Sequence, residues 1–242
     1  MSDVLNVPLS PWRQDEEIKI FNEAVSQFFE KELKPHVEDW REAGAVPRDV
    51  WYKAAEQGLL LVSAPEEYGG AGGDFRHDAV IIEQLEQQGI AGFGIGLHNA
   101  IVAPYIIHYG SDEQKQRLLP KLASGELVTA IAMTEPGTGS DLQNIKTTAK
   151  KDGNGYVING SKTFITNGQT ANLILVCAKT DPSKGAKGIS IMMVETDEVE
   201  GFERGRNLKK IGQPAADTSE LFFNDVKVPA SALLGPEEGQ GF

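Results

Sequence analysis

Asp152-Gly153-Asn154-Gly155-Tyr156-Val157-Ile158-Asn159-Gly160-Ser161-Lys162-Thr163-Phe164-Ile165-Thr166 is the stretch that decides how this chain folds. Asp-Gly and Asn-Gly both tolerate positive φ, so 152–155 reads as a hairpin turn. Residues 156–158 and 163–166 are strand-like, separated by Asn159-Gly160. Working outward, a short apolar run at 128–133 precedes the hairpin, and further strand-like runs follow at 173–178, 189–195 and 220–228. Short strands with turn signals at this density predict a small antiparallel sandwich or barrel.

Upstream of Leu127 the period is helical. Ser10-Pro11 reads as a cap followed by proline at the first helical position, where its missing N–H costs nothing. Ile18, Phe21, Val25, Phe28 and Phe29 then recur at helical spacing. Residues 47–57 form a second predicted helix, ended by Gly58. Asp74 caps a third, with Phe75, Ala79, Ile82 and Leu85 on one stripe and Gly89 as the stop. Ser111-Asp112-Glu113-Gln114 is a capping box, opening a helix that contains Leu118, Leu119 and Leu122. The expected fold class is therefore α+β. An all-α helical domain covers 1–126 and a small antiparallel β-barrel or sandwich domain covers 127–236. The glycine-rich stretch 237–242 reads as the start of a further element.

Bulk properties narrow the function classes. The chain has 242 residues, 40% of them hydrophobic and 24% charged, as expected of a globular protein. The net charge of −12 argues against nucleic-acid binding and against docking on an anionic membrane surface. Cys177 is the only cysteine and lies in an apolar run, so it reads as a small buried hydrophobe. The first eight residues carry neither a signal peptide nor a transit peptide pattern, and no apolar run approaches the ~18 residues of a membrane span. A cytoplasmic location is expected. The four histidines fall in helical segments without metal-like spacing, and no Ser-His-Asp or Cys-His set is legible, so neither a metal site nor a hydrolytic centre is expected.

The segment that points to a ligand is Thr134-Glu135-Pro136-Gly137-Thr138-Gly139-Ser140-Asp141. Pro136 fixes the backbone, Gly137 and Gly139 permit close approach of a flat or anionic ligand, and Thr134, Thr138 and Ser140 supply hydroxyls. Successive N–H groups in such a loop can form an anion-binding nest, although an ordinary connection between strands has the same composition. Phe164 and Thr166, two residues apart on one strand, would share a face and offer an aromatic plane beside a hydroxyl. Core packing of Phe164 is the alternative. Gly92-Phe93-Gly94-Ile95-Gly96 lacks the strand-glycine-helix context of a dinucleotide fingerprint and reads as close packing. Pro65-Glu66-Glu67-Tyr68-Gly69-Gly70-Ala71-Gly72-Gly73 reads as a flexible loop.

Taken in order, these segments resemble the acyl-CoA dehydrogenase family, closest to its long-chain type. The likeness runs through Pro65-Glu66-Glu67-Tyr68-Gly69-Gly70, Gly110-Ser111-Asp112-Glu113-Gln114-Lys115, 134–141, 159–168 and Phe222-Phe223-Asn224-Asp225-Val226-Lys227-Val228-Pro229. Five motifs in the family's order cover nearly the whole chain. The resemblance implies a helical domain, a β-domain and then a C-terminal four-helix domain that this sequence does not contain. It implies FAD as cofactor, contacted by Ile131, Met133, Thr134, Gly139, Ser140, Phe164, Ile165 and Thr166. Phe164 would pack against the isoalloxazine and Thr166 would approach N5. Many relatives carry Trp where Phe164 stands, which keeps the stacking face and drops an indole donor. Ser140, Ala186 and Lys187 match positions that approach the pantetheine and CoA of an acyl-CoA substrate.

The implied reaction is α,β-desaturation of a medium- to long-chain acyl-CoA to a trans-2-enoyl-CoA, as in fatty acid β-oxidation. A glutamate of the C-terminal helices takes the α-proton, the β-hydride passes to the flavin, and electrons go on to an electron-transferring flavoprotein. That base is expected to lie outside this sequence, so no catalytic residue is assigned, and Glu135 is read as structural. The intact oxidoreductase is expected to be a homotetramer or dimer. Two alternatives stand beside it: a non-catalytic acyl-CoA or flavin-binding module, and an acyl-CoA oxidase or flavin monooxygenase of the same superfamily.

Overall fold

A computed structural model describes residues 10–242. The reading of the first eight residues lies outside the described part. A 3-10 turn (Pro11–Gln14) opens the chain. Ser10 and Pro11 start this turn rather than the long helix, and the Ser10 side chain makes no capping bond. Helix α1 (Glu16–Phe28) continues through a π-helical turn that buries Phe29 and Leu33. Helix α2 (Val37–Ala43) stops at Gly44, which has φ +74°. Helix α3 (Arg48–Glu56) follows Pro47 and ends before Gly58, as expected. Ile18, Val25, Phe29, Trp51, Ile81 and Ile95 share the first core.

Helix α4 (Phe75–Gln87) carries the expected Asp74 cap, completed by the His77 ring accepting the Asp74 N–H. Its buried stripe is not the expected one. Phe75 and Ile82 are exposed, and the face turned inward carries His77, Asp78, Ile81, Gln84 and Leu85. Counting apolar residues selects the wrong face because polar side chains there find internal partners, such as Gln84 donating to Asn22 at 2.8 Å. The 64–73 segment is tightly tied, with Gly72 N–H donating to Ala64 O and Gly73 N–H to Val62 O. It is not the open loop its composition suggests.

Helix α5 (Ile95–Leu97) runs through a π turn (His98–Val102) into α6 (Ala103–Tyr109). Helix α7 (Asp112–Ala123) has the full Ser111/Gln114 capping box.

Seven strands follow: β1 (Thr129–Ala132), β2 (Thr148–Asp152), β3 (Gly155–Thr166), β4 (Leu173–Lys179), β5 (Ile189–Glu195), β6 (Phe202–Asn207) and β7 (Thr218–Pro229). The order is β1-β4-β2-β3-β7-β6, with β5 on β4. The β2–β3 hairpin and the β3–β7, β4–β5 and β6–β7 pairs are antiparallel as expected, whereas β1 and β2 run parallel to β4. The sheet is therefore mixed. Strand β4 explains how it joins the helices. Leu173, Leu175 and Cys177 pack with Ile106, Leu118 and Leu122, while Ile174, Val176 and Ala178 face the inner side with Leu221 and Phe223. A strand covered on both faces reads as one apolar run, and Cys177 is buried in it.

The two expected strands around Asn159-Gly160 are one strand of twelve residues, β3. Its register against β7 shifts between Ile158 and Gly160, and again between Lys162 and Ile165. Gly160 has φ +153°, and a Cβ there would lie 2.4 Å from Thr147 Oγ1, so the chain bulges instead of breaking. Residues 233–242 lie along β5, with Leu234 N–H on Ile191 O and Gly241 N–H on Ile189 O.

Candidate functional site

The loop after β1 is folded back on itself. Glu135 N–H donates to Thr138 O at 2.9 Å and Thr138 N–H to Glu135 O at 3.0 Å, closing a turn around Pro136-Gly137. Two of the N–H groups that a nest would need are spent on this turn. Thr163 N–H donates to Thr134 O and ties the loop to β3. Ile131 is buried toward the helices, Met133 and Thr134 are half-buried, and Gly139 and Ser140 are exposed. A Cβ on Gly137 or Gly139 would meet nothing, and neither residue has positive φ. Folding alone does not require glycine at either place, and the bare backbone leaves room for an approaching ligand.

Behind the loop, Lys162 and Glu135 form an ion pair of 3.0 Å, with side chains only 0% and 5% exposed. The Lys162 ammonium also donates to Met133 O at 2.9 Å. Glu135 accepts the N–H groups of Lys146 and Thr147 at 2.5 and 2.9 Å. Burial opposes ionisation of Glu135, but these hydrogen bonds and the ammonium outweigh it and hold its pKa below the usual carboxylate value. Burial lowers the Lys162 pKa, and Glu135 opposes that shift. Burial pushes the neighbouring Cys177 thiol up to about 11, which leaves it neutral at physiological pH. An ionised carboxylate with its acceptor sites filled is a poor proton acceptor, in line with a structural Glu135. Sequence reading gave Lys162 no role. Lys162 is paired with Leu221 in the regular part of β3, immediately before the register shift that ends at Ile165.

Phe164 is the unusual residue of the site. It has φ +59°, it is 66% exposed, and Lys162, Thr163 and Ile165 around it are buried. The expected alternation does not bring it to the surface, because it sits at a register shift. A bulky residue held in the left-handed region costs roughly 1–2 kcal/mol, and such strain concentrates at functional positions. Core packing of Phe164 is excluded by its exposure. Thr166 lies in a cleft of about 210 Å³ lined also by Ile82, Gly92, Gly94, Gly96 and Leu97; Phe164 does not line it.

The glycines of that cleft are explained by packing. A Cβ on Gly92 would lie 2.7 Å from Ala215, and one on Gly94 would lie 2.0 Å from Asn167 Oδ1. The Asn167 amide in turn donates to Thr129 O at 3.0 Å. It also donates to Gly94 O at 3.4 Å, which links the helical segment to the sheet.

A second cavity, about 220 Å³, opens beside Met133 and is lined by Tyr105, Leu142, Ile145, Cys177, Ile189 and Phe242. Ala186 and Lys187 stand on the 3-10 turn Pro182–Gly188, which packs against the turn Leu142–Asn144 that follows Ser140. Lys187 is exposed. Ser140 and Lys187 thus lie on neighbouring turns. Among the described residues no cluster of three metal-ligating side chains occurs, and no helix is long and apolar enough to cross a membrane.

Comparison with known proteins identifies the family. Residues 15–126 match the family described as acyl-CoA dehydrogenase, N-terminal domain, and residues 130–226 match its middle domain. The long-chain specific acyl-CoA dehydrogenase, mitochondrial, of Sus scrofa is 49% identical over 225 residues, which cover 92% of this chain and 52% of the relative. The crystal structure of an acyl-CoA dehydrogenase from Geobacillus kaustophilus matches with a TM-score of 0.91 at 55% identity, over 94% of this chain and 60% of that one. A glutaryl-CoA dehydrogenase from Mycobacterium smegmatis, solved in complex with FADH2, matches with a TM-score of 0.83 at 32% identity, over 93% of this chain and 57% of that one. The chain belongs to the acyl-CoA dehydrogenase family. It spans about half the length of the curated relatives it matches.

Proposed function

We infer that this chain supplies the flavin- and thioester-facing wall of an FAD-dependent acyl-CoA dehydrogenase acting on a medium- to long-chain acyl-CoA. The observation that carries the reading is Phe164, an exposed aromatic held at φ +59° next to the buried Lys162 and Thr163. An aromatic plane kept strained and bare is suited to stacking on a planar cofactor. Ile131, Met133, Thr134, Gly139, Ser140, Phe164, Ile165 and Thr166 are the proposed flavin contacts. Ser140, Ala186 and Lys187 are the proposed contacts to the acyl-CoA, with Lys187 suited to a phosphate. The bound flavin would supply the acceptor for the β-hydride. The residues of this chain would orient it, exclude water from one side and seat the thioester.

Glu135 is not proposed as the base, since its carboxylate is fully engaged. The domain boundaries proposed are 1–126, 127–236 and 237–242. The intact enzyme is proposed as a homo-oligomer, a tetramer or dimer, passing electrons to an electron-transferring flavoprotein. A cytoplasmic location is proposed; the word mitochondrial in the pig protein's name concerns that relative. The deciding experiment is titration of the purified protein with FAD, followed by assay with a long-chain acyl-CoA and an electron-transferring flavoprotein. Saturable FAD binding that is weakened tenfold or more in Phe164→Gly supports the reading. Absence of FAD binding, or binding indifferent to Phe164, overturns it.

A further inference from the structure

The buried Lys162–Glu135 pair is not explained by stability. Taking two charges out of water costs several kcal/mol per ion, and well-packed apolar residues of similar volume are often as good or better. Its geometry suggests a different use. One ammonium and one carboxylate gather three separate stretches of backbone: the Met133 carbonyl at the end of β1, the β3 backbone that carries Lys162, and the Lys146 and Thr147 N–H groups at the entry to β2. Two of these stretches bear the proposed flavin contacts, at 131–140 and at 164–166.

The pair also anchors β3 beside its second register shift. Lys162 is paired with Leu221, the next paired residue is Ile165 with Ser219, and Phe164 sits between them at φ +59°. Without its ammonium, Glu135 would be left as a buried carboxylate with no counter-charge, which is the costly state of such a pair. The backbone two residues before Phe164 is thereby tied to the 133–140 loop.

We propose that the Lys162–Glu135 pair is a positioning device, holding the 133–140 loop and the Phe164–Thr166 segment at the spacing a flavin ring requires. This rests on the flavin reading given above. Neither residue is assigned contact with the reacting atoms.

The test uses the whole purified chain in three forms: the parent, Lys162→Met, and the double exchange Lys162→Met with Glu135→Gln. FAD dissociation constants, the visible circular dichroism of bound flavin and the melting temperature of the flavin-free protein are measured on each. Lys162→Met is expected to lower the melting temperature and raise the FAD dissociation constant tenfold or more. The double exchange leaves no buried unpaired charge, so its melting temperature is expected to return toward the parent. Its FAD affinity is expected to stay at least tenfold weak, with an altered dichroism of the bound flavin. A merely structural pair would instead recover affinity and spectrum together with stability. A double exchange with parental affinity and dichroism overturns the proposal. Should the double exchange not melt cooperatively, Glu135→Gln alone carries the test. It keeps the Lys162–Met133 contact, and parental affinity and dichroism in it likewise overturn the proposal. A parent chain that binds no FAD removes the flavin reading and this proposal with it, whereas a binding parent with unchanged variants removes the positioning role alone.

Discussion

Replacing Phe164 with glycine separates what the fold needs from what the ligand needs. A Phe→Gly change inside an ordinary strand loses side-chain burial and adds backbone entropy to the unfolded state, and so costs several kcal/mol. Phe164 differs on both counts, with φ at +59° and 66% of its surface exposed. Relief of the left-handed conformation returns roughly 1–2 kcal/mol, and the added entropy of glycine takes back about 0.5–1 kcal/mol. The flavin-free Phe164→Gly protein should therefore lie within about 1 kcal/mol of the parent in a urea melt, possible gains included. Flavin binding should respond differently. An aromatic side chain offers roughly 200 Å², so the exposed share is about 130 Å². Stacking on one face covers about half of that, worth roughly 1.6 kcal/mol at 25 cal/mol/Å². Ring geometry adds about 0.5–1.5 kcal/mol, giving a loss of about 2–3 kcal/mol, or roughly 30- to 150-fold in dissociation constant by fluorescence titration. A destabilisation of several kcal/mol in the flavin-free protein would mean that Phe164 is a packing residue, and unchanged flavin affinity would refute the stacking role.

Four further outcomes are expected. Gly139→Ala should leave the melting temperature unchanged, because a Cβ there meets nothing, yet weaken binding of FAD or acyl-CoA in titration. Gly94→Ala should cost about 1–3 kcal/mol in a denaturant melt, since its Cβ would lie 2.0 Å from Asn167 Oδ1. Ser111→Ala should cost about 1 kcal/mol by losing the N-cap of α7, whereas Ser111→Asp should be close to neutral. His98 is buried and neutral: its Nε2–H donates to Leu122 O at 3.2 Å, and Nδ1 accepts from Thr129 Oγ1 at 3.0 Å. Burial, the largest cause, pushes its pKa down to about 4. The unfolded chain therefore takes up a proton first as pH falls. The stability due to neutral His98 is present above about pH 6.5 and drops by about 3 kcal/mol as pH falls toward 4. Burial raises Asp78 and Asp217 and so acts in the opposite direction, which is why the parent should be compared with His98→Gln across that range.

Local signals were legible in the sequence and non-local ones were not. The cap at Asp74, the capping box at Ser111, the stops at Gly58 and Gly89 and the hairpin at 152–155 depend on residues within four positions of each other, and all five form. Parallel pairing of β1 with β4 depends on strands more than forty residues apart, and nothing in 128–133 records it. Strand β6, Phe-Glu-Arg-Gly-Arg-Asn, has no apolar alternation because it is an edge strand with one neighbour, β7. The α4 stripe was only partly caught: Leu85 is buried as expected, but His77, Asp78 and Gln84 share the buried face with Val80 and Ile81. At the site, the sequence pointed to the right segments but not to their conformation. Thr134–Asp141 and Phe164–Thr166 could be singled out by composition, whereas the closed turn at Glu135/Thr138 and the exposure of Phe164 depend on backbone pairing and a register shift that no local rule records.

Asn and Gly take positive φ at little cost, so a site that needed only a bulge would carry one of them at position 164. Strand β3 does place glycine at its other bulge, Gly160, where the space is filled by Thr147. At the second bulge Phe164 is 66% exposed. The two bulges of one strand thus differ: packing accounts for Gly160, and nothing in the folded chain accounts for an aromatic at Phe164. The same contrast holds among the glycines: Gly92 and Gly94 are forced by neighbouring atoms, while Gly137 and Gly139 are not. Gly139 and Phe164, where folding leaves the residue unexplained, are among the positions proposed to meet the flavin.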